Sequence, residues 1–333
     1  MNFGNSKSNR NHKSYSTKRD DTVIIPPKLS KGDAVGVIAP AGWTEEEKLQ
    51  PAIVYLESKG FSVRLGDSVF TKTRYLAGAD SARVRDINTM FADTEVKAIF
   101  CARGGYGSSR LLDQLDYTLI RKNPKVFIGF SDTTALQFGI FAQTGLVNYT
   151  GMVLYPDITE LGMSSTIEKS LWALVSTGKF KPIRGLKVLK QGSINGPLLG
   201  GCLSLICSLV GTPYFPSLDG AILFIEDVNE EPYRLDRMLT QLRIAGVLER
   251  IGGLIFGHFV GCESEKTQYG SVEPVIAEFS EFVFGPVLAG LPYGHSPNRV
   301  VLPIGVEAHI ASDSQGVLSI ATHEDIYHKC RGC

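Results

Sequence analysis

The stretch from Lys125 to Ala135 constrains the fold of this chain more than any other, because it predicts a strand, a sharp turn and a helix in quick succession. It opens with the apolar run Val126 to Phe130, which is typical of a buried strand. A polar cluster that begins at Ser131 then leads into apolar positions at helical spacing. A serine at such a bend would lie at the carboxyl edge of a sheet, beside a helix N-terminus that favours negative charge.

Two interpretations of Ser131 stay open from this stretch alone. The pattern Gly129-Phe130-Ser131-Asp132-Thr133 is close to the G-x-S-x-G nucleophile elbow of hydrolases, although its second glycine is missing. The simpler interpretation is that Ser131 or Asp132 only caps the helix. Short motifs match many unrelated proteins, so this stretch by itself favours the cap.

The composition allows a folded protein with a substantial core. The chain has 333 residues, of which 43% are hydrophobic and 20% are charged, enough for one large or two ordinary domains. The formal net charge is zero, so nothing indicates nucleic acid or another polyanion as a partner. The longest apolar run, Leu198 to Val210, is interrupted by glycine and serine and is too short to span a membrane.

The cysteines and the chain ends indicate the compartment. Cys101, Cys202 and Cys207 lie in apolar runs, the last two in a run predicted to be helical, and are expected to be buried thiols in a reducing environment. Cys330 and Cys333 form a C-x-x-C that no strand–helix context supports as a redox or zinc site, so we interpret residues 326–333 as a tail. Residues 1–22 are polar and contain no apolar signal-peptide core, which predicts a disordered tail and a cytoplasmic protein.

The order of predicted elements indicates two domains. Strands alternate with helices over residues 23–160, which predicts an α/β domain with a doubly wound, mostly parallel sheet. Ligands bind such sheets at the carboxyl ends of the strands. Residues 161–191 are polar and mixed, and we interpret them as a linker. Short, turn-bounded strands predominate over residues 192–325 and predict a second, α+β domain.

A glycine-rich loop is expected at the same sheet edge as Ser131. It runs from Arg103 to Ser109, follows the third predicted strand, and contains Gly104, Gly105 and Gly107. Glycines allow close approach of a ligand and leave N–H groups free to donate, so a phosphate cradle is one interpretation. An oxyanion hole, in which one of these N–H groups acts with that of Asp132, is another. An ordinary strand-to-helix turn is the third.

A nucleophilic serine needs a base, and the base needs an orienting group. His258 and His295 both follow predicted strands, and the Gly/Pro/Asn-rich loop around His295 favours it as the base. Glu226 ends a buried strand, where a carboxylate can be held against an imidazole. Sequence spacing does not choose between Glu226 and Asp227.

Five stretches, taken together and in order, resemble the L,D-carboxypeptidases of the muramoyltetrapeptide type, whose relatives include the microcin C self-immunity serine peptidases. The matches extend from about Val35 to Pro303. The matching stretches are Arg103 to Gly107, Gly129 to Asp132, Gly196 to Gly201, Leu223 to Asp227 with Tyr233 and Asp236-Arg237 behind it, and Leu291 to His295.

This resemblance implies a Ser-Glu-His triad of Ser131, Glu226 and His295. It implies a flavodoxin-like N-terminal half that carries the serine and a C-terminal α+β half, swivelling or barrel-like, that carries the other two residues. Gly105 and Asp132 would supply the oxyanion N–H groups, with Gly104 as an alternative. Homodimers are usual in the family, and no cofactor or metal is expected.

The function implied by the resemblance is that of a serine L,D-carboxypeptidase that releases terminal D-alanine from murein tetrapeptides in cell-wall recycling. Arg103 is the candidate cation for the substrate carboxylate and Tyr106 a candidate peptide contact; a buried ion pair and core packing are their structural alternatives. One departure is Cys202, where family members often carry Asn, which leaves substrate scope open. The alternatives are hydrolysis of acyl-nucleotide antibiotics, as in the immunity branch, and non-catalytic binding of a small anion.

Overall fold

The computed structural model describes residues 22–263, 270–312 and 316–320. The predicted tails, apart from Thr22, and the Cys330/Cys333 pair lie outside the described residues. Within the described ranges, no helix combines the length and the apolar character that crossing a membrane requires.

Strands and helices alternate in the first half of the chain, and strands predominate in the second. The strands are β1 (Ala34–Ile38), β2 (Ser62–Leu65), β3 (Val96–Cys101), β4 (Val126–Gly129), β5 (Asn148–Thr150), β6 (Ile158–Thr159), β7 (Gly162–Met163), β8 (Ile183–Lys190), β9 (Ser193–Cys202), β10 (Ile222–Val228), β11 (Gly253–Val260), β12 (Val287–Ala289), β13 (Leu302–Ile304), β14 (Glu307–Ala311) and β15 (Gly316–Ile320). The helices are α1 (Glu46–Ser58), α2 (Asp80–Ala92), α3 (Tyr117–Lys122), α4 (Thr134–Thr144), α5 (Ser165–Trp172), α6 (Leu203–Leu209), α7 (Pro232–Ile244), α8 (Val247–Arg250) and α9 (Val272–Ser280).

The first sheet is the doubly wound sheet that the sequence predicts. Its strand order is β13-β5-β4-β3-β1-β2, and β1 to β5 pair in parallel. The order β2-β1-β3-β4-β5 is that of flavodoxin-like folds. Strands β1 and β4 are buried along their whole length, as expected where helices cover a parallel sheet on both faces. The predicted α/β fold of the N-terminal half is therefore confirmed.

The second sheet closes on itself. Seven strands form a barrel in the order β10-β11-β12-β8-β15-β14-β9. Parallel pairing joins β9 to β10, β10 to β11 and β11 to β12, and the other described pairs are antiparallel. With the helices α6 to α9, this confirms the predicted barrel-like α+β architecture of the C-terminal half.

Local structure differs from expectation in two places. The predicted linker, residues 161–191, contains β8, and β8 is a barrel strand. Cys202 ends β9 and does not lie in a helix as predicted, because the Gly200-Gly201 pair continues the strand next to β10. A Cβ at Gly200 would meet the backbone oxygen of Phe224 at 2.0 Å, so glycine is needed for this close strand contact. The exact domain boundaries stay a prediction.

The chain crosses back to the first sheet near its C-terminal end. After barrel strand β12, a loop leads to β13, which pairs antiparallel with β5 through Leu302 and Thr150. His295 lies in this returning loop. The crossing therefore brings a residue of the C-terminal half to the sheet that carries Ser131.

Candidate active site

Ser131 occupies a strained turn at the carboxyl end of β4. Its φ is +64°, in the left-handed region that side chains rarely adopt. A Cβ at Gly129 would lie 2.3 Å from Oγ1 of Thr133, so only glycine fits beneath this turn. Thr133, and not Ser131, is the N-cap residue of α4. The turn thus has the backbone geometry of a nucleophile elbow, and Ser131 does not act as the cap.

Three segments bring Ser131, His295 and Glu226 into one chain of hydrogen bonds. The Oγ of Ser131 lies 3.0 Å from Nε2 of His295, and Nδ1 of His295 lies 2.8 Å from Oε2 of Glu226. Glu226 is completely buried. Burial raises the pKa of its carboxyl group, and the hydrogen bond from His295 opposes that rise. An imidazole that protonates here would gain the carboxylate as a direct counter-ion.

Asp227 has a different set of partners from Glu226. Its Oδ2 accepts a hydrogen bond from the backbone N–H of Ser204 at 2.8 Å, and its Oδ1 accepts one from Val228 at 2.9 Å. The thiol of Cys202 also donates to Asp227. Asp227 therefore holds the start of α6 against β10, while Glu226 contacts the imidazole.

The glycine-rich loop is fastened to the Ser131 turn by Asp132. The Asp132 carboxylate accepts hydrogen bonds from the N–H groups of Gly107 (3.1 Å) and Ser108 (2.9 Å). The Ser108 hydroxyl donates to the backbone oxygen of Asp132 at 2.6 Å, and Arg83 donates to that of Gly107 at 3.0 Å. Burial raises the pKa of the Asp132 carboxyl, and the hydrogen bonds with Ser108 and Gly107 and the charge of Arg83 oppose the rise.

The two N–H groups predicted as oxyanion donors belong to Asp132, which follows Ser131, and to Gly105 on the glycine-rich loop. Those of Gly105 and Asp132 donate to no group among the residues that the structure describes, so both stay available. Gly105 has a φ of +116°, which favours glycine. A Cβ at Gly104 would come within 3.0 Å of the Ser131 Cβ. The loop backbone therefore lies directly beside the serine.

Arg103 and Tyr106 lie on the same loop. Nη1 of Arg103 donates to the backbone oxygen of Trp43 at 2.9 Å, and its guanidinium lies 5.9 Å from the ring centre of Tyr155. Its hydrogen-bond partner is thus a carbonyl, and no carboxylate in the described part of the chain forms an ion pair with it. Tyr106 is 51% exposed and meets Tyr75 edge-on, which does not fit core packing.

The remaining candidates, His258 and Cys202, do not take part in the hydrogen-bond chain. His258, the alternative base, donates its backbone N–H to the oxygen of Tyr293, and its Nδ1 has no partner among the described residues. Burial lowers the pKa of this imidazole. Cys202 is buried next to Ser204 and Asp227, and burial raises the pKa of its thiol. Across the described ranges, no group of three or more His, Cys, Asp or Glu side chains is arranged to hold a metal ion.

Two family models match the chain in order. They are the LD-carboxypeptidase N-terminal domain, over residues 35–151, and the LD-carboxypeptidase C-terminal domain, over residues 195–310. The chain belongs to the LD-carboxypeptidase family. The predicted family is confirmed, and membership makes this protein a peptidase.

This LD-carboxypeptidase family member matches several known proteins over most of its own length and most of theirs. The probable murein peptide carboxypeptidase of Bacillus subtilis is 40% identical over 85% of this chain and 90% of that protein. The crystal structure of muramoyltetrapeptide carboxypeptidase from Oxalobacter formigenes has a TM-score of 0.79 at 31% identity, over 86% of this chain and 98% of that one. A MccF-like protein from Bacillus anthracis has a TM-score of 0.80 at 30% identity, over 90% of this chain and all of that one.

Sequence reasoning missed the residues that hold the His295 loop in place. Tyr293 belongs to the matching stretch Leu291 to His295, and its hydroxyl lies 2.7 Å from that of Thr150 on β5. Arg299 and Asp157 form a buried ion pair beside the same loop. An arginine directly before the apolar run that becomes β13 was the available signal, because a charge at such a position needs a partner.

Proposed function

We propose that the protein is a serine L,D-carboxypeptidase that releases the terminal D-alanine of murein tetrapeptides, with Ser131, His295 and Glu226 as its catalytic triad. The observation that carries the proposal is the hydrogen-bond chain from Ser131 through His295 to Glu226, which begins at a residue of φ +64°. The similarity to murein peptide and muramoyltetrapeptide carboxypeptidases supports the substrate class.

Acylation begins at Ser131. Nε2 of His295 takes the hydroxyl proton as Oγ attacks the carbonyl carbon that precedes D-alanine. Nδ1 of His295 donates to Oε2 of Glu226, so the carboxylate fixes the tautomer and stabilises the imidazolium that forms. His295 then protonates the departing amine of D-alanine, and an acyl-enzyme remains. A water molecule, deprotonated by His295, hydrolyses that ester.

The negative charge that develops on the carbonyl oxygen needs donors that are already in place. The backbone N–H groups of Gly105 and Asp132 serve this purpose, and each contributes about 3 kcal/mol to stabilising the transition state. The Asp132 carboxylate supports the arrangement, because it fixes the loop at Gly107 and Ser108. The oxyanion hole and the nucleophile are thereby built from one turn and the loop attached to it.

A carboxypeptidase must also recognise the terminal carboxylate of its substrate. Arg103 precedes Gly104 on the loop beside Ser131, and its charge is not neutralised by an ion pair with any described carboxylate. Arg103 therefore binds this carboxylate, and the exposed Tyr106 ring packs on the peptide. We expect the enzyme to act in the cytoplasm and as a homodimer, and to need no cofactor.

The MccF-like structure favours one second candidate, the hydrolysis of acyl-nucleotide antibiotics. The same triad would serve that reaction, because it also cleaves an acyl bond. Cys202, where Asn is common in the family, leaves the substrate scope open between the two reactions. A protein that only bound a small anion would not need a serine hydrogen-bonded to a histidine that is itself hydrogen-bonded to a buried carboxylate.

The proposal is tested by the release of free D-alanine from a purified disaccharide tetrapeptide. The wild type should release D-alanine, and Ser131→Ala should lose at least about 10⁴-fold in kcat. Equal release by both proteins would contradict the covalent mechanism. Release by neither, together with cleavage of an aminoacyl sulfamoyl nucleoside by the wild type, would assign the protein to the second candidate function.

A further inference from the structure

One aromatic residue of the N-terminal half is enclosed by the loop that carries His295. The ring of Phe130, the residue directly before Ser131, contacts Tyr293 edge-on with ring centres 5.6 Å apart. The His295 ring centre lies 4.7 Å from that of Phe130, and the guanidinium carbon of Arg299 lies 4.5 Å from it. The loop of the predicted base is therefore packed on the neighbour of the predicted nucleophile.

Arg299 ties this loop to the first sheet with a single guanidinium group. Its Nε donates to the backbone oxygen of Gly151 at 2.7 Å, and its Nη2 donates to both carboxylate oxygens of Asp157. Gly151 and Asp157 both follow β5. Its Nη1 donates to the backbone oxygen of Ser296 at 2.9 Å, the residue after His295. The nitrogen atoms of one side chain thus join the residue after His295 to the sheet of Ser131.

The burial of this group makes the attachment stiff. Arg299 is only 6% exposed, and its ion pair with Asp157 is shielded from water. A buried charge that loses its partner is strongly unfavourable, so the pair does not open easily. Lysine could not reproduce the attachment, because it has no planar fork that donates in three fixed directions.

We propose that Arg299, held by Asp157, is a positioning residue that fixes the imidazole of His295 within reach of Ser131. This inference rests on the proposed function, in which His295 is the general base. Arg299 is buried and acts through His295 without touching the substrate. A base displaced by about 1 Å can cost on the order of 10²-fold in turnover. Loss of Arg299 should therefore lower kcat and leave KM nearly unchanged.

The test compares Arg299→Ala, Arg299→Lys and Asp157→Asn with the wild type in the D-alanine assay. We expect kcat to fall on the order of 10²-fold in Arg299→Ala, with KM within about twofold of wild type. Arg299→Lys should not restore turnover, and Asp157→Asn should lose less than Arg299→Ala because two hydrogen bonds of the guanidinium remain. Added guanidinium ion at a non-denaturing concentration should restore part of the kcat of Arg299→Ala.

Two controls separate positioning from general damage. Arg250→Ala removes an arginine from an exposed ion pair with Asp219 and should leave kcat unchanged. Phe91→Leu removes buried core contact with Phe127 and should lower the melting temperature without lowering kcat. The proposal is overturned if folded Arg299→Ala keeps the kcat of the wild type. It is also overturned if Phe91→Leu and Arg299→Ala have the same stability and lose the same amount of kcat.

A readout without substrate keeps this inference distinct from the proposed function. The proton between Nδ1 of His295 and Glu226 should give a far-downfield proton resonance that is absent in a His295→Ala variant. Its loss or shift in Arg299→Ala, and not in Arg250→Ala, supports positioning even if no D-alanine is released by the wild type. An unchanged resonance in Arg299→Ala overturns the positioning role, whatever the activity.

Discussion

Glu226 and Asp227 are consecutive residues, yet their carboxylates serve different parts of the molecule. Glu226 accepts a hydrogen bond from the His295 imidazole, whereas Asp227 accepts one from the N–H of Ser204 at the start of α6. Both are almost completely buried. Successive side chains of a strand lie on opposite faces, which separates the two groups although they share one stretch of backbone.

Exchanging each carboxylate for its amide should therefore give two different results. Glu226→Gln should lower kcat about 10³- to 10⁴-fold, because the amide favours the wrong tautomer of His295 and cannot stabilise an imidazolium. Asp227→Asn should keep kcat within about tenfold but lower the free energy of unfolding by about 1 kcal/mol, because it weakens the hydrogen bonds at α6. Steady-state kinetics and urea unfolding of both variants check this. Equal losses of activity in Glu226→Gln and Asp227→Asn would show that the two carboxylates do not have different roles.

The backbone strain at Ser131 predicts an effect on stability that is independent of the reaction. Ser131→Gly and Ser131→Ala both remove the hydroxyl and should both be inactive. Glycine adopts a φ of +64° without a Cβ clash. The free energy of unfolding of Ser131→Gly should therefore be about 1 kcal/mol higher than that of Ser131→Ala. Chemical denaturation of the pair measures the difference. Equal stabilities would mean that the turn relaxes in solution.

Gly104 should tolerate no side chain if the enzyme is to remain active. A Cβ there would lie 3.0 Å from the Ser131 Cβ and 3.3 Å from its Oγ, so Gly104→Ala should displace the proposed nucleophile and lower kcat about tenfold or more. The folded state should lose less than about 1 kcal/mol. Gly36→Ala is the matched control, because its Cβ would press on the flexible side chain of Met90 and should leave kcat unchanged. Wild-type kcat in Gly104→Ala would contradict the close approach of loop and serine.

Lys125 predicts a pH dependence of stability. Burial lowers the pKa of its ammonium group from 10.5 to about 8, assisted by the charges of Lys97 and Arg64 and opposed by Asp93. Between about pH 8 and pH 10.5 the unfolded chain binds a proton at this residue that the folded protein has lost, so the free energy of unfolding rises with pH. Below and above this window the contribution of Lys125 is constant.

Lys125→Met isolates that contribution from the other titrating groups. The free energy of unfolding of the wild type should rise relative to the variant across the window from about pH 8 to about pH 10.5. Urea unfolding of both proteins at a series of pH values measures the difference. Parallel curves for the two proteins would show that Lys125 titrates in the folded state as it does in the unfolded chain.

The sequence by itself determined the local elements and much of the chemistry. The apolar run before Ser131 and the polar cluster after it predicted the strand and turn, because hydrophobic periodicity and turn preference act within a few residues. The alternation of strands and helices likewise predicted a parallel sheet, and the carboxyl-edge rule predicted that the glycine loop and Ser131 would lie together. The order of five short motifs predicted the family.

Only the tertiary structure decided which distant groups meet. The contact of His295 with Ser131 depends on the return of the chain to the first sheet at β13. The contact of Glu226, and not Asp227, with His295 depends on the face of β10 that each side chain occupies. The attachment of Arg299 to Asp157 could not be predicted from either segment. Ser131 and His295 are 164 residues apart in the chain, and contacts over that distance depend on the packing of the whole fold, which local patterns do not encode.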